Sequence, residues 1–394
     1  MSNCRPGVII VSCLDYPFYS GGSRRIEGFL SVFESTRIKT FVICPLFQRS
    51  SSPAAGQSRS VCYIDLRILR KLRQDLPSTR LIALVLFTLG ALPKIIRMRK
   101  SYRIVQYLGA GSAPSVLFLK ALLKDHVIVG DDFMPAYLRI VKPLAWIVAL
   151  FDFMTVRLTD VIITYPAFWN TFLRKCVRSK KVLHIPHGVF CTMPKTKLEK
   201  ETLARMVFVG SPAFDQNLIA IGNIIKIAKS LMKRGINFRV EIVGGPLESA
   251  GKLLDEEVVQ KGLVTFRGFV SEEVLRNIYF NSFLGLLPFF ESTKSFSQKI
   301  KPLEYFAHGL LVVSGSQGIV GIDGLANGRE YLEAKDVEEM TEIIAKCLKS
   351  PDYYFDITLK GIEVAKRYSW QSVLKPYIDL IEKTGVHARV EEKL

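Results

Sequence analysis

The sequence has few acidic side chains for its length, and this sets the class of partner to expect. Its 36 Asp and Glu residues stand against 54 Lys and Arg residues, which leaves a formal net charge of +18 at pH 7. An excess of this size favours a polyanionic partner such as nucleic acid, an anionic lipid surface or a phosphorylated substrate. The sign of the charge does not choose among these three classes.

Paired cysteines are also missing. The seven cysteines are scattered, and no two of them form a C-x-x-C pair. An odd number without a pairing motif argues against a disulfide framework and against a zinc site, so we expect a reducing compartment. The first apolar run of the chain is of strand length, too short for the apolar core of a secretory signal, and no signal peptide is expected.

A third absence is an apolar run long enough to cross a bilayer, which takes about 20 residues. The longest run, Leu81 to Pro93, is much shorter, and a second lies between Pro143 and Met154. Five basic residues follow the first run: Lys94, Arg97, Arg99, Lys100 and Arg103. An apolar helix with a basic end is typical of helices that lie at an anionic membrane surface. The alternative is a buried helix with a solvated end.

The remaining composition is that of a globular protein, with 49% hydrophobic and 23% charged residues in 394. This length predicts two domains. Short β-branched runs alternate with helical patterns in both halves, which predicts parallel strands joined by helices. We expect two Rossmann-like doubly wound α/β domains facing a cleft: residues 1–188, a linker at 189–205, and residues 206–394, with the C-terminal helix crossing back to the first domain. Ligands should bind at the carboxyl ends of the strands.

Four motifs follow one another in the second half: FVGSPAFDQN, VTFRGFVSEEVLRNIYFNSFLGLLPF, KPLEYFAHGLLVVSG and RYSW. This order resembles the nucleotide-binding domain of GT-B glycosyltransferases, over essentially all of residues 206–371. The FDQN motif and its spacing to Lys301 are most similar to the branch that includes the membrane-associated glucuronosyltransferase of xanthan assembly. The resemblance implies a nucleoside-diphosphate sugar as substrate, with no metal and no other cofactor.

The charged residues of KIKPLEYFAHG are the strongest candidates for donor binding. A nucleotide sugar presents ribose hydroxyls and a diphosphate, which call for a carboxylate and for cations. The resemblance implies that Glu304 accepts from the ribose hydroxyls and that Lys301 binds the diphosphate, with Lys299 as a nearby second cation. The alternative is a solvated helix face, since an i,i+3 Lys–Glu pair also stabilises an isolated helix.

One position departs from the superfamily pattern. Many members carry two glutamates with seven residues between them, and Phe296 stands where the first would be. This departure puts in doubt any mechanism that needs that carboxylate beside the sugar, and it favours the branch that lacks the pair.

Glycines after strands are further candidates, because a ligand can approach a backbone that carries no side chain. Gly210 and Ser211 follow the first strand of the second half, and Gly245 follows the next. Ordinary turns are the alternative for these glycines. Phe269 is at the position where family members line the base pocket, although it could equally be a core aromatic.

Two candidates lie in the first half. Gly21 and Gly22 resemble the family's glycine-rich loop, whose backbone amides can face a phosphate or the acceptor; a tight turn is the alternative. Asp132, or else Asp131, ends a strand and could take the proton from an acceptor hydroxyl, as an inverting transfer requires. The alternative is a cap of the following helix.

The sequence therefore predicts a glycosyltransferase on the cytoplasmic face of a membrane, acting on a lipid-linked or polysaccharide acceptor with inversion. The alternatives are a retaining transferase, a nucleotide-sugar epimerase on the same fold, and a non-catalytic basic protein that binds membrane or nucleic acid. Nucleic acid is not expected as a partner, because no module of interleaved aromatic and basic residues is present.

Overall fold

The computed structural model describes residues 7–12, 21–46, 61–66, 77–108, 120, 122–131, 145–165, 167–177, 181–191, 204–290 and 298–391. The chain separates into two compact units. Unit 1 comprises Met1–Pro186 with Val373–Leu394, and unit 2 comprises His187–Ser372.

Unit 1 is built on a parallel sheet of seven strands in the order β3-β2-β1-β4-β5-β6-β7. The strands are β1 (Val8–Ser12), β2 (Thr40–Leu46), β3 (Val61–Asp65), β4 (Ile104–Leu108), β5 (Val127–Asp131), β6 (Val161–Thr164) and β7 (Lys181–His184). Strands β1, β4 and β6 are buried along their whole length. Both faces of such a strand are covered, which explains their continuous Val, Ile and Leu content.

In the described part of unit 1 the helices are α1 (Gly21–Ser35), α2 (Pro77–Met98), α3 (Ala145–Leu158) and α4 (Ala167–Cys176), together with most of the last helix, α11 (Trp370–Glu391). The last helix is held by aromatic packing. The ring of Tyr377 lies 5.8 Å from that of Phe29 and 5.9 Å from that of Phe33, both on α1. Aromatic pairs at such distances add to the stabilisation from burial alone.

Helix α2 has two apolar faces, of which one is buried and the other is exposed. The buried face is formed by Phe87, Ala91 and Ile95, and the exposed face by Ile82, Val85, Leu86 and Leu89. Each set recurs at intervals of three or four residues, the spacing of one side of a helix. No helix in the described ranges is both long and apolar enough to cross a membrane.

Unit 2 contains a parallel sheet of six strands in the order β10-β9-β8-β11-β12-β13. Its strands are β8 (Arg205–Val209), β9 (Arg239–Val243), β10 (Val264–Gly268), β11 (Leu284–Leu287), β12 (Leu311–Gly315) and β13 (Leu332–Ala334). Its helices are α5 (Asp215–Lys233), α6 (Glu257–Gln260), α7 (Glu272–Phe280), α8 (Lys301–Ala307), α9 (Val337–Lys349) and α10 (Phe355–Arg367). The strand order reverses between β8 and β11, and in open parallel sheets ligands bind outside the carboxyl ends of the strands at that point.

The two units thus confirm the predicted fold class of paired parallel-sheet α/β domains.

Candidate functional site

The segments that follow β8, β9 and β10 meet through their backbones. The N–H of Gly210 donates to the Val243 carbonyl at 2.8 Å, and the N–H of Gly244 donates to the Gly268 carbonyl at 2.8 Å. Gly244 has φ +139°, and a Cβ there would lie 2.6 Å from the carbonyl of Gly210. Only glycine fits this backbone conformation and this close approach.

Ser211, Gly245 and Phe269 lie together at the same edge of the sheet. The Ser211 hydroxyl donates to the Gly245 carbonyl at 2.6 Å and accepts from the N–H of Ala213 at 3.2 Å. A Cβ on Gly245 would lie 2.8 Å from the ring of Phe269. The Phe269 side chain is 69% exposed, so it is not a core aromatic.

Lys301 is the first residue of α8 and reaches the loop after β8. Its Nζ donates to Asn217 Oδ1 at 2.7 Å, and Asn217 Nδ2 donates to the Ser211 carbonyl at 2.9 Å. The ammonium also lies 4.9 Å from the centroid of the Phe208 ring and 5.1 Å from that of Phe289. One amide side chain and two aromatic faces therefore fix the position of this cation.

The pKa of Lys301 is lowered to about 7, chiefly by burial and also by the nearby charge of Lys299, while Glu304 opposes the shift. Burial also lowers the pKa of Lys299, whose Nζ donates to Gln216 Oε1 at 3.2 Å. Among the described residues, neither lysine is paired with a carboxylate. Two partly desolvated ammonium groups side by side form a site suited to an anion.

The space around Lys301 depends on Gly210. A Cβ at that position would lie 2.9 Å from each of three atoms: Lys301 Nζ, Asn217 Cγ and Phe208 Cε1. A larger residue would therefore push the ammonium or the asparagine out of place.

Glu304 lies one turn after Lys301, and its side chain is partly exposed. The hydroxyl of Tyr279 donates to Glu304 Oε2 at 3.3 Å. Helix α8 is itself fixed to the sheet, because the N–H of Val209 donates to the Tyr305 hydroxyl oxygen at 2.9 Å. These contacts place a carboxylate and an ammonium on one face of a short, anchored helix.

The strand-end carboxylate of unit 1 has a different environment. Asp131 is fully buried, and its carboxylate accepts from Arg25 Nε at 3.0 Å, Arg25 Nη2 at 2.7 Å and Gln106 Nε2 at 3.0 Å. Gln106 Oε1 in turn accepts from the Tyr377 hydroxyl at 3.0 Å. This is a buried ion pair within a polar network. Asp132 lies outside the described residues.

Gly21 and Gly22, predicted to form a glycine-rich loop, are the first two residues of α1. Phe296, the position that departs from the superfamily pattern, lies outside the residues that the structure describes. Within those residues, no three His, Cys, Asp or Glu side chains lie close enough to hold a metal ion. Independence from metal stays a prediction.

Three further residues of the site, Gln216, Asn217 and Tyr279, were not assigned roles from the sequence. The FDQN motif contains the first two and was noted for its spacing to Lys301, although no pattern indicated that its amides bind the lysines. No sequence pattern distinguishes Tyr279 as a site residue, because an aromatic residue on an amphipathic helix is usually a core residue.

Residues 204–350 match the family model of the glycosyl transferases group 1. The match covers β8 to β13 and helix α9, and therefore every residue described above around Lys301, so the cluster lies within this matched part of the chain, which we call the group 1 domain. No curated protein matches the sequence.

Solved structures extend the likeness to nearly the whole chain. Sucrose-phosphate synthase from Thermosynechococcus elongatus has a TM-score of 0.71 at 13% identity, over 96% of this chain and 99% of that one. HepE of Anabaena in complex with UDP has a TM-score of 0.66 at 12% identity, over 96% of this chain and 100% of that one. A TarM mutant of S. aureus, in complex with Fondaparinux, alpha-GlcNAc-glycerol and UDP, has a TM-score of 0.69 at 11% identity. The likeness covers 96% of this chain and 99% of that one. At these identities the likeness shows the fold.

The prediction of a GT-B glycosyltransferase is thus confirmed, through the fold of the whole chain and through the family of its group 1 domain. The xanthan-type branch stays a prediction.

Proposed function

We propose that this chain transfers a sugar from a nucleoside-diphosphate donor to a glycan acceptor held at the cytoplasmic face of a membrane. The observation that carries the proposal is the convergence of Lys301, Lys299 and Glu304 with the glycine backbone at Gly210 and Gly245. The cluster lies at the carboxyl ends of the strands of the group 1 domain, where the strand order reverses between β8 and β11.

The diphosphate is assigned to the two lysines. Lys301 would bind it with Lys299 beside it, and glycine at position 210 lets the backbone after β8 lie close to the ammonium without displacing it. The same cations would stabilise the negative charge that develops on the diphosphate as it leaves the sugar. No other cofactor is part of the proposal.

The nucleoside is assigned to Glu304 and Phe269. A carboxylate accepts hydrogen bonds from the two ribose hydroxyls, and Tyr279 would orient it. The exposed Phe269 ring, next to Gly245, offers a flat apolar surface for the base. HepE and TarM are described in complex with UDP, which supports uridine as the first nucleoside to test.

In the proposed inverting reaction, an acceptor hydroxyl oxygen attacks the anomeric carbon of the donor. The bond between that carbon and the diphosphate oxygen breaks, and the hydroxyl proton passes to the carboxylate of Asp132. Asp131 is the weaker candidate, because its carboxylate is buried against Arg25 and Gln106. A retaining transfer is the alternative, and the anomeric configuration of the product distinguishes the two.

A membrane-held acceptor is supported by the exposed apolar face of α2 and by exposed apolar residues of α3, namely Leu150, Phe153 and Met154. Exposed basic residues, Arg97, Arg99 and Lys100, occupy the last turn of α2 and the residues that follow it. Lys94 does not belong to this surface, because its Nζ lies 2.6 Å from Cys62 Sγ.

Transfer is tested by incubating the protein with UDP-, GDP- or dTDP-linked radiolabelled sugars and membranes, then counting label in the lipid extract. We expect one donor to label the extract and Lys301→Ala to abolish most of the signal. Conversion of the labelled donor sugar into a different sugar in the absence of acceptor would indicate an epimerase and contradict the proposal.

Membrane contact is tested by vesicle flotation of Leu86→Gln/Leu89→Gln. We expect this variant to float less than the parent, because it removes two exposed apolar side chains from α2. Ile219→Gln/Val274→Gln changes two exposed apolar residues of unit 2 and should float like the parent. Equal flotation of all three proteins would remove α2 from the membrane-contacting surface.

A further inference from the structure

Unit 1 contains a basic pocket at the opposite end of its sheet from Asp131. Its volume is about 400 Å³, and its charged and polar walls are formed by Arg99, Lys100, Arg103, Lys124, Asp125 and His126. The residues come from two segments, one before β4 and one before β5, so the pocket lies at the amino ends of these strands.

The topology of the sheet brings the two segments together. β4 and β5 are adjacent and parallel, with Ile104 beside Val127. The N–H of Val127 also donates to the carbonyl of Arg103 at 3.0 Å. Basic residues that are more than 20 positions apart in the sequence therefore line one pocket.

His126 connects the two walls. Its ring is about nine-tenths buried, and its Nε2 lies 3.0 Å from the carbonyl oxygen of Arg99. Because a carbonyl only accepts, Nε2 carries the proton and donates. Among the described residues, Nδ1 of this ring has no hydrogen-bond partner. A buried polar atom without a partner is costly and rare, and here it belongs to a side chain that lines the pocket. In the neutral ring Nδ1 is an acceptor, so it suits a hydroxyl donor of a phosphorylated ligand, whereas the cations of the pocket suit its anionic oxygens.

The residues that line the pocket carry more positive than negative charge. Four cations face one carboxylate, and no ion pair between described residues involves Arg99, Lys100 or Lys124. Like charges held this close repel one another, and an anion with several acceptor oxygens would relieve the repulsion. The volume is that of a small-molecule site rather than of a single ion.

We propose that this pocket binds the phosphate group of a small phosphorylated molecule or of an anionic lipid headgroup. The site goes beyond the donor site, which lies in unit 2, and it does not depend on the transfer reaction. Helix α2, which carries the exposed apolar face, ends at Met98, directly before Arg99, so a lipid headgroup and a free phosphorylated ligand are both chemically suitable sources of the phosphate.

The first test is calorimetric titration with inorganic phosphate. It uses the full chain carrying Lys299→Ala and Lys301→Ala, so that the donor site does not contribute. Adding Arg99→Gln/Lys124→Gln should weaken phosphate binding about tenfold or more, since two charge-assisted contacts are lost. The control, Lys175→Gln/Lys181→Gln, removes the same charge from exposed positions of unit 1 outside the pocket and outside the basic end of α2, and it should bind phosphate like its parent.

The second test floats the wild type and both double variants with vesicles of phosphatidylglycerol or of phosphatidylcholine. Weaker binding of only the pocket variant to the anionic vesicles identifies a lipid headgroup as the ligand. Phosphate binding that needs the pocket, together with equal flotation, identifies a soluble phosphorylated ligand. The proposal is overturned if pocket and control variants behave alike in both tests, or if the parent binds neither phosphate nor anionic vesicles.

Discussion

Two carboxylates near the carboxyl ends of the two sheets have opposite surroundings. Asp131 in unit 1 is fully buried and accepts hydrogen bonds from Arg25 and Gln106. Glu304 in unit 2 is partly exposed, on a face that it shares with Lys301, and accepts from Tyr279 at 3.3 Å. The same functional group thus stabilises the fold in one unit and is presented to solvent in the other.

The comparison shows that carboxylates near strand ends can have very different surroundings, so position alone does not assign a role to either. A buried carboxylate with charged and amide donors within 3 Å has its acceptor capacity used by the protein. A partly exposed one on a ligand-binding edge can exchange water for substrate hydroxyls at little cost. Substitutions should therefore lower stability at Asp131 and donor binding at Glu304 and Lys301.

The largest expected effect is on stability, from Asp131→Ala. Removing one partner of a buried ion pair leaves Arg25 charged and uncompensated, which typically costs about 3 to 5 kcal/mol. The free energy of unfolding in urea measures this loss. Glu342→Ala removes the partner of Arg234 in an exposed pair and should cost less than about 1 kcal/mol. An Asp131→Ala protein with full stability and no turnover would instead make Asp131 the catalytic base.

The next effect is on the pH dependence of donor binding. Because the pKa of Lys301 is about 7, the amino group that we propose binds the diphosphate is about half protonated at pH 7 and about one-tenth protonated at pH 8. Donor affinity should therefore fall by about fivefold between pH 7 and pH 8 and level off below pH 6. Calorimetric titration of a nucleotide sugar checks this, since its diphosphate diester does not itself titrate in that range.

Lys301→Arg provides the control, because a guanidinium stays charged throughout this range. Its donor affinity should be lower or equal at pH 6 but independent of pH up to 8. If the donor affinity of the wild type is also constant from pH 6 to pH 8, Lys301 does not bind the diphosphate.

The smallest effect compares two glycines of unit 2. Gly210→Ala places a methyl group 2.9 Å from Lys301 Nζ, so donor binding should weaken about threefold as the ammonium shifts. Gly222→Ala lies within α5, with nothing within 4 Å of the added Cβ, and should raise stability by about 0.5 to 1 kcal/mol without changing donor binding. Donor titration and urea unfolding of both variants measure the difference. Unchanged binding in Gly210→Ala would contradict the site geometry.

Most of the fold could be predicted because the central strands are continuous apolar runs between turn residues. Two strands do not follow from such runs, β3 (Val61–Asp65) and β13 (Leu332–Ala334), and both lie at sheet edges. β3 mixes polar and apolar residues, and β13 has only three residues. Patterns this short and mixed do not distinguish a strand from a loop.

The part of the candidate site formed by residues close together in the sequence could be predicted. Lys301 and Glu304 are one helical turn apart, so their shared face follows from helix geometry. The network around Asp131 could not be predicted in this way. Its ion pair joins residues 106 positions apart, and the bond between Gln106 and Tyr377 spans 271 positions. Such partners are set by the topology, which brings α11 back to unit 1.

The central claim is that Lys301 and Glu304 form the donor site. The most direct measurement is calorimetric titration of the wild type with UDP-, GDP- and dTDP-sugars, repeated for Lys301→Ala and Glu304→Ala, with Lys252→Ala as a control at an exposed lysine of unit 2. We predict that one class of nucleotide sugar binds the wild type and the control equally, and that Lys301→Ala loses about 1.5 to 3 kcal/mol of binding free energy. Wild-type affinity in both site variants would contradict the account.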